Sequence, residues 1–549
     1  MTRKPIRETP TFLPDSPLVT FDAIRSQFPR LVAGGHTEPA AFAAGILDYA
    51  RREIPFESIG SPIEPRFHVW GAAAIALAAL ALPQKRKPTF PLSGPSPMYV
   101  RDLLIKMGGF GAVSADVTAD SVWLAIQRIV SLQPSLQGDS VARFFQMLFL
   151  LELVDDQATF LSQTSPYDGL FQEALGCRVL DYVGLLFGLY AQSRVDCVFN
   201  LDILFEQSRD AVALRALAER IFAAEGCHQE KVGDLLDTEF SKHQAEGLVQ
   251  AFFVKYPFVR LNDTYYLPPL HPFMRLLAAS GPVFRALELA RKAAKSSGQS
   301  SSWTNLHSSR MGIRFEHLVR SLVERAYAPG AWAAEYEYTK GQKSPDFILF
   351  EDDATVVLVQ AKLKRMTPGA FFGYDLDTFR EDSERFAEMI WRSVRYLQNI
   401  RKGKRSGKSD EDSVTERVLS AKRVVLVGIA PFLSPVFVPG LPRDTIVAAA
   451  NKKLGPDVAH ALVDIAAWHI TGFDDLALFF SLPAGPTLGH AIVEYVHTMG
   501  DTFITDDGMV SSFRNWCIHK HSTTIKPPAA WRRAFELLTE YGTKVLFSP

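Results

Sequence analysis

A polar trio at one end of an apolar hairpin most restricts how this chain can fold. Two strand-like apolar runs flank an acidic turn at 352–354. A turn there brings Asp346 opposite Gln360, with Cβ atoms about 5 Å apart. Lys362 joins them, because side chains two apart on a strand share a face. The sequence therefore predicts three polar groups gathered at the end of a hairpin that is otherwise apolar.

These polar groups suit a site that holds a metal against a phosphate. Mg²⁺ prefers oxygen ligands, usually one or two carboxylates together with waters and substrate phosphate. Asp346 offers a carboxylate, and the Gln360 side chain and the Ala361 carbonyl offer neutral oxygens. Lys362 can position an attacking water or stabilise phosphate charge. We therefore take Asp346, Gln360 and Lys362 as candidate catalytic residues, with Asp346, Gln360 and Ala361 as candidate metal ligands.

A second carboxylate comes from the amphipathic helix that the pattern predicts over 309–328. Phe315 and Leu318 belong to the apolar face of this helix, which could pack on a sheet. Glu316 lies at the margin of that face. We expect it to point toward the hairpin and to act as a catalytic residue and a metal ligand. An ordinary surface acid on a helix is the alternative.

The elements around the hairpin follow the order helix, three strands, helix and strand. The strands are predicted near 333–339, 346–350 and 355–363. A second helix is predicted over 382–401, and a buried strand over 423–430 follows it. A last strand begins at His469 and leads to a helix or turn at Asp474.

Three short motifs in this order resemble those of the PD-(D/E)XK nuclease superfamily. They are Phe-Glu on the first helix, Pro-Asp on a strand and Gln-x-Lys on the next strand. The Gln-x-Lys form is similar to that of the Mrr-type restriction endonucleases. The resemblance covers roughly 308–482. Gln360 stands where the usual motif has an acid, which removes a negative charge that Glu316 would have to supply.

The resemblance implies a C-terminal α/β restriction-endonuclease-like core, a central mixed sheet flanked by helices. It implies that Asp346, Gln360 and Glu316 hold Mg²⁺, with Mn²⁺ as a substitute, and that Lys362 is the catalytic lysine. The implied activity is hydrolysis of DNA phosphodiester bonds by an endonuclease. The implied setting is bacterial restriction or anti-phage defence.

Basic residues after the hairpin and on the second helix are the candidate DNA contacts. Lys364 and Arg365 follow the motif directly, and Arg392 and Arg395 flank aromatic residues on the helix. Such side chains can track a phosphate backbone. The basic run at 401–416 could do the same or could be a solvated loop, and we predict it to be mobile.

The chain as a whole is predicted to be an α+β multidomain protein. A polar, serine-rich segment marks a linker between a helical first region and the nuclease-like region. The predicted parts are a mostly helical recognition or regulatory region at 1–294, a hairpin within it at 257–268, a linker at 295–303, a nuclease domain at 304–485 and a helical extension at 486–549. The hairpin fits a surface ribbon better than the wing of a winged helix.

Bulk properties restrict where this chain can act. The net charge is −1, so DNA binding requires a local basic surface. The four cysteines show no disulfide framework, which indicates a reducing cytosol. The apolar run at 69–82 is about a third short of the roughly 20 residues that a bilayer span needs. We expect a buried helix there and a cytoplasmic protein without a membrane partner.

The sequence is compatible with two rival interpretations. The nuclease fold could be catalytically degenerate and serve as a DNA-binding or protein-interaction scaffold, with Gln360 marking the loss of metal. Alternatively, the helical region could be the principal functional part, a sensor that uses the nuclease as its output. It would then bind a protein partner or trigger. A homo-oligomer would let two sites cut both strands.

Overall fold

The computed structural model is a mixed α/β structure in which helices predominate. The residues that it describes are 21–35, 38–53, 69–83, 95–96, 99–100, 103, 140–206, 208, 210–241, 245–262, 265–267, 274, 277–298, 310–364, 366–371, 375–433, 441–454, 465–482, 486–499, 513–521 and 527–547.

The first region is mostly helical, as the sequence predicts. Its described elements are α1 (Phe21–Gly35), α2 (Pro39–Glu53), α3 (Val69–Leu80), α4 (Ser140–Leu150), α5 (Asp168–Leu175), α6 (Val179–Gln192), β1 (Phe199–Asn200), α7 (Leu201–Leu204), α8 (Ala211–Glu225), β2 (Gly226–His228), α9 (Val232–Thr238), α10 (Ala245–Lys255), β3 (Phe258–Arg260), β4 (Tyr265–Leu267) and α11 (Gly281–Ser296). The apolar run predicted as a buried helix is α3, and its side chains from Ala72 to Leu80 are buried.

The second region contains the larger sheet. Its described elements are α12 (Gly312–Ala326), β5 (Trp332–Ala334), β6 (Glu337–Thr339), β7 (Gln342–Lys343), β8 (Phe347–Phe350), β9 (Thr355–Ala361), α13 (Pro368–Phe371), α14 (Leu376–Arg401), α15 (Ser409–Ser420), β10 (Arg423–Ala430), α16 (Leu441–Leu454), β11 (Ala467–Gly472), α17 (Phe473–Phe479), α18 (Leu488–Met499), α19 (Phe513–His521) and α20 (Ala529–Phe547).

Five strands form a mixed sheet in the order β11-β10-β9-β8-β5. The pairs β5–β8 and β8–β9 are antiparallel, whereas β9–β10 and β10–β11 are parallel. Strand β9 is buried at every position, because both faces of the sheet are covered. Val356 and Leu358 belong to one apolar cluster, and Val357 and Val359 belong to the other.

The two apolar clusters draw on both regions of the chain. The first joins α1, α2 and α3 with one face of the sheet and with α14. The second joins α4 and α6 with the other face and with α12, α17 and α20. Helix α11 extends to Ser296, and residues 299–303 of the predicted linker lie outside the described residues. The predicted domain boundaries stay predictions.

The hairpin predicted at 257–268 is present as β3 and β4, which pair antiparallel. It is more than the expected surface ribbon, because the strands lie in a four-stranded sheet of order β1-β4-β3-β2. Residues far apart in the chain supply β1 and β2, so no local pattern could have predicted this sheet.

The prediction of a basic loop over 401–416 is wrong for its second half. The connection spans only 402–408, and α15 begins at Ser409. Three acids, Asp410, Glu411 and Asp412, occupy the first turn of α15, where negative charge complements the helix dipole. Asp412 Oδ1 also accepts a hydrogen bond from the Ser406 backbone N–H at 3.0 Å. The helix signal of these acids therefore outweighs the loop-like composition.

The C-terminal extension is helical in its described parts and packs against the first region. Trp531 of α20 stacks on Phe145 of α4, with ring centroids 5.9 Å apart. Tyr541 lies so close to Gly184 of α6 that a Cβ at Gly184 would be 2.7 Å from the tyrosine ring. The last helix is therefore part of the core formed by α4 and α6.

A buried ion pair ties α4 to the end of the larger sheet. Arg143 Nε lies 3.2 Å from Asp474 Oδ2, and both side chains are 3% exposed. Removing one partner of such a pair leaves an uncompensated buried charge, which costs about 3–5 kcal/mol.

Among the described residues, no single helix is long and apolar enough to cross a membrane. One bent pair, α5 with α6, meets that length and composition requirement when the two helices are taken together.

Candidate active site

The hairpin register agrees with the one predicted from the sequence. Phe347 pairs with Val359, and Phe350 pairs with Val356. Asp346 directly precedes β8, and Gln360 is the second-last residue of β9. The Gln360 side-chain amide donates a hydrogen bond to Asp346 Oδ2. The two polar side chains are thus brought together by the antiparallel ladder, as the spacing predicts.

The Asp346 carboxylate lies against the backbone of β9, next to a proline in the hairpin. Continuing the register places Ala361 opposite Pro345, which has no N–H to donate. The Ala361 N–H donates to Asp346 Oδ2 at 2.7 Å. Pro345 likewise cannot donate a ladder hydrogen bond to the Ala361 carbonyl. This end of the hairpin therefore presents a carboxylate beside a backbone carbonyl.

The Lys362 ammonium lies between two carboxylates. Its Nζ is 3.4 Å from Asp346 Oδ2 and 3.5 Å from Glu316 Oε1. Its backbone N–H continues the parallel ladder by donating to the Ile429 carbonyl at 3.0 Å. The side chain is only 19% exposed. Strand pairing thus fixes the backbone of Lys362, and the side-chain amine lies beside Asp346 at the end of the hairpin.

Glu316 reaches the site because α12 packs on the second face of the sheet. Phe315 and Val319 of α12 are fully buried in the same cluster as Val357 and Val359. The Glu316 side chain remains 42% exposed. The predicted direction of Glu316 toward the hairpin is therefore observed, and the candidate second carboxylate lies at the solvent side of Lys362.

Contacts with the end of α4 fix the N-terminal turn of α12. Arg314 Nε donates to the Phe149 carbonyl at 2.9 Å, and its guanidinium lies 4.2 Å from the Phe149 ring centroid. One turn earlier, Arg310 Nε lies 2.6 Å from Glu152 Oε1. The His317 ring also meets Phe149 edge to face. Glu316 is therefore placed by a helix that the first region of the chain holds.

Burial makes the ionised form of Asp346 unfavourable. It raises the pKa of Asp346 to about 6, and nearby Glu316 raises the pKa further, whereas the Lys362 ammonium lowers it. Asp346 is only 5% exposed. At neutral pH this side chain is an ionised carboxylate with little water around it, which favours a bound cation.

Sequence reasoning missed one further acid at the site. The Glu335 backbone N–H donates to the Asp346 carbonyl at 3.0 Å, and its carboxylate pairs with Lys343 at 2.7 Å. The hydrogen bond between the Lys343 ammonium and the Glu335 carboxylate raises the pKa of Lys343, and the negative charges of Glu316 and Asp346 act in the same direction. Glu335 lies inside the stretch predicted as one strand, but the chain forms the β6–β7 ribbon between β5 and β8, so the pairing of β5 with β8 could not be inferred from local spacing.

The oxygen donors at this site fit a hard cation such as Mg²⁺ or Mn²⁺. They are the carboxylates of Asp346 and Glu316, the Ala361 carbonyl and the Gln360 side-chain oxygen. Gln360 donates through Nε2, which leaves its Oε1 for another partner. The described residues contain no group of three or more His, Cys, Asp or Glu side chains arranged for a metal. The donor set is thus two carboxylates completed by neutral oxygens.

The candidate DNA contacts are engaged within the protein. Lys364 Nζ donates to the Arg385 carbonyl at 2.7 Å and pairs with Glu388. Arg392 Nη2 lies 2.5 Å from Glu388 Oε1. The Arg395 guanidinium lies 4.9 Å from the Trp391 ring centroid. Arg365 lies outside the described residues. The structure thus brings Lys364 and Arg392 to the same acid, a contact that the sequence did not predict.

Comparisons with protein-family models, with curated proteins and with solved structures give no match to this chain.

Proposed function

We propose that this chain is a metal-dependent nuclease that hydrolyses DNA phosphodiester bonds, with a core of the PD-(D/E)XK type. The observation that carries the proposal is the Lys362 amine, which lies 3.4 Å from Asp346 and 3.5 Å from Glu316 at the end of the hairpin. It is costly for stability to gather a buried carboxylate, a second acid and a lysine at the end of a hairpin. The same arrangement is useful for phosphate chemistry.

Each residue of the site has a role in this reaction. Asp346, Glu316, Gln360 and the Ala361 carbonyl would hold Mg²⁺. When bound, the cation supplies charge neutralisation at the phosphate and lowers the pKa of bound water. The Ala361 N–H and the Gln360 amide keep Asp346 oriented through hydrogen bonds. Lys362 would place its ammonium against a phosphate oxygen and stabilise the charge that develops there.

The resemblance supports an endonuclease of bacterial restriction or anti-phage defence that acts in the cytoplasm. Helix α12 carries Glu316 and rests on α4, which gives the first region of the chain a physical route to the site. A trigger that shifts α4 would therefore alter the position of Glu316. In this proposal a protein partner would act through the helical region.

The proposal is tested with the purified full-length chain and supercoiled plasmid DNA. We expect cleavage with Mg²⁺ or Mn²⁺, none with EDTA, and loss of cleavage in Lys362→Ala and in Asp346→Ala. An endonuclease converts supercoiled plasmid to nicked or linear DNA. A structured RNA in a parallel reaction distinguishes a ribonuclease. Arg325→Ala is the matched control, because Arg325 hydrogen-bonds to Ser321 within α12.

The second candidate function is a non-catalytic DNA-binding or protein-interaction scaffold. The observation that favours it is Gln360, a neutral residue where the motif usually has an acid. Among the described residues, Asp346 and Glu316 are the two carboxylates that pair with Lys362. Binding of plasmid without cleavage under every metal tried, unchanged in Lys362→Ala, would support the scaffold and overturn the nuclease.

A further inference from the structure

An open groove runs along α14 beside the candidate active site. Its volume is about 610 Å³, within the usual range of about 300–1,000 Å³ for ligand sites. Most of its lining comes from one face of α14, because residues three, four and seven apart on a helix share a face. The lining residues are Lys364, Glu381, Glu384, Arg385, Glu388, Trp391 and Lys453.

The groove begins next to the catalytic lysine. Lys364 lies two residues after Lys362 and pairs with Glu388 across the groove wall. Burial raises the pKa of Glu388, but the hydrogen bond and charge of Lys364, together with the charges of Arg392 and Lys362, outweigh burial and lower this pKa. The Lys364 backbone N–H also donates to the Lys362 carbonyl at 2.7 Å, so the lining of the groove adjoins Lys362. A phosphate held at Lys362 would leave its neighbouring nucleotide at the mouth of the groove.

The charges of the groove do not suit a phosphate. Its lining contains three acids and three basic residues. Glu388 is paired with Lys364 and with Arg392, and Glu381 lies 3.3 Å from Arg385. A polyanionic backbone would meet as many negative as positive groups there. The groove is therefore unlike the basic channels that track a phosphate backbone.

The aromatic ring in the groove suits a nucleobase. Trp391 is partly buried against the core, and the Arg395 guanidinium lies 4.9 Å from its ring centroid. Bases stack on indole rings and on guanidinium planes. Glutamate carboxylates accept hydrogen bonds from exocyclic amines of bases. An aromatic wall between acids and cations therefore offers a base both stacking and hydrogen bonding.

We propose that this groove receives an unpaired nucleobase of the substrate, stacked at Trp391, next to the phosphate held at Lys362. The inference rests on the proposed nuclease function and specifies its substrate, a DNA with a single-stranded segment at the cleavage position. Bases in an intact duplex are stacked on their neighbours, so one could enter the groove only after it was flipped out.

The test measures DNA binding in EDTA, so that cleavage plays no part. Three fluorescein-labelled probes are compared by anisotropy: a blunt duplex, the same duplex with a single-stranded overhang, and that overhang with abasic positions. The full-length chain should bind the overhang probe more tightly than the other two. Trp391→Ala should weaken binding of the overhang probe by roughly 5- to 150-fold and leave the blunt duplex unchanged.

Trp391→Phe and Trp391→Leu separate stacking from packing. Phenylalanine keeps an aromatic face and should retain most of the preference for the overhang, whereas leucine keeps apolar bulk and should lose it. Equal binding of intact and abasic overhangs, or equal effects of phenylalanine and leucine, would overturn the inference. Metal-dependent cleavage together with overhang binding that does not depend on Trp391 would overturn this inference and leave the proposed nuclease function intact. A base preference that depends on Trp391, without cleavage under any metal, sinks only the nuclease.

Discussion

The hairpin end and the start of α12 each supply an acid to the site, and different parts of the chain hold them. Asp346 is placed by its own hairpin, through the register of β8 on β9 and two hydrogen bonds from residues 14 and 15 positions away. Glu316 is placed by packing, because Arg314 and Arg310 bond to Phe149 and Glu152. One acid thus depends on local strand pairing, and the other depends on contact between distant regions.

This difference indicates where regulation can act. A hairpin ladder buried on both faces resists local opening, since its hydrogen bonds and apolar contacts break together. The contact between α12 and the end of α4 is shallower and contains exposed charges; the Arg310 side chain is 49% exposed. We therefore expect the position of Asp346 to stay constant and the position of Glu316 to change during regulation.

The largest effect is expected for Asp346→Asn. Loss of the carboxylate should lower cleavage by roughly 10³-fold. The fold should gain stability above pH 7, because burial raises the pKa of Asp346 to about 6 and ionisation of this group costs folding free energy. A shift from 3.8 to about 6 corresponds to roughly 3 kcal/mol.

Thermal unfolding of both proteins across pH 4–8 checks the sign of this effect. The folded-state pKa lies above the unfolded value, so the wild-type contribution of Asp346 is complete below about pH 4 and is lost as the pH rises through about 6. The variant should therefore gain on the wild type over that window. A variant that loses stability relative to the wild type as the pH rises would contradict the assigned burial of this acid.

A smaller effect is expected for Glu316→Gln. With Gln360 neutral, removal of a second charge should raise the metal concentration for half-maximal cleavage by roughly 10- to 100-fold. Cleavage at saturating Mg²⁺ should fall less, because the hairpin end remains intact. Metal titrations measure both quantities. Glu324→Gln, an exposed acid on the same helix, is the matched control. Identical titration curves for Glu316→Gln and the control would remove Glu316 from the site.

The smallest of these effects is expected for Arg314→Ala. Losing the hydrogen bond to the Phe149 carbonyl should loosen the first turn of α12 and displace Glu316, which lowers cleavage by roughly 10-fold. The double variant with Glu316→Gln should be little worse than Glu316→Gln alone, because both changes act through one carboxylate. Arg325→Ala controls for the loss of an arginine on this helix. Strictly additive effects on cleavage would show that Arg314 does not act through Glu316.

Part of the site could be predicted from short stretches of sequence. The acidic turn at 352–354 and the two apolar runs set the register, which in turn placed Asp346 beside Gln360. Strand β10 was predicted with the bounds observed, because a run of β-branched residues has few other uses. Helix α14 begins six residues before the predicted start at Asp382, where the Asp375 side chain caps it by accepting the Thr378 N–H.

Other features depended on contacts that no short stretch of sequence contains. Lys364 and Arg392 were predicted as DNA contacts from their charge, yet both pair with Glu388. Glu335 was missed because the β6–β7 ribbon separates β5 from β8 in the chain, so local spacing does not predict how β5 pairs with β8. The support of α12 by Phe149 and Glu152 joins residues more than 150 positions apart.

The sequence alone determined the hairpin and its polar end, because strand alternation and a short turn leave one register that buries the apolar side chains. Only the tertiary structure decided which charges are available and which are paired. The physical reason is the separation along the chain between the interacting residues. Backbone pairing in a hairpin joins residues that are close in sequence. The partner of a charged side chain depends instead on which distant helix packs beside it, as Glu316 on α12 and Glu388 on α14 both illustrate.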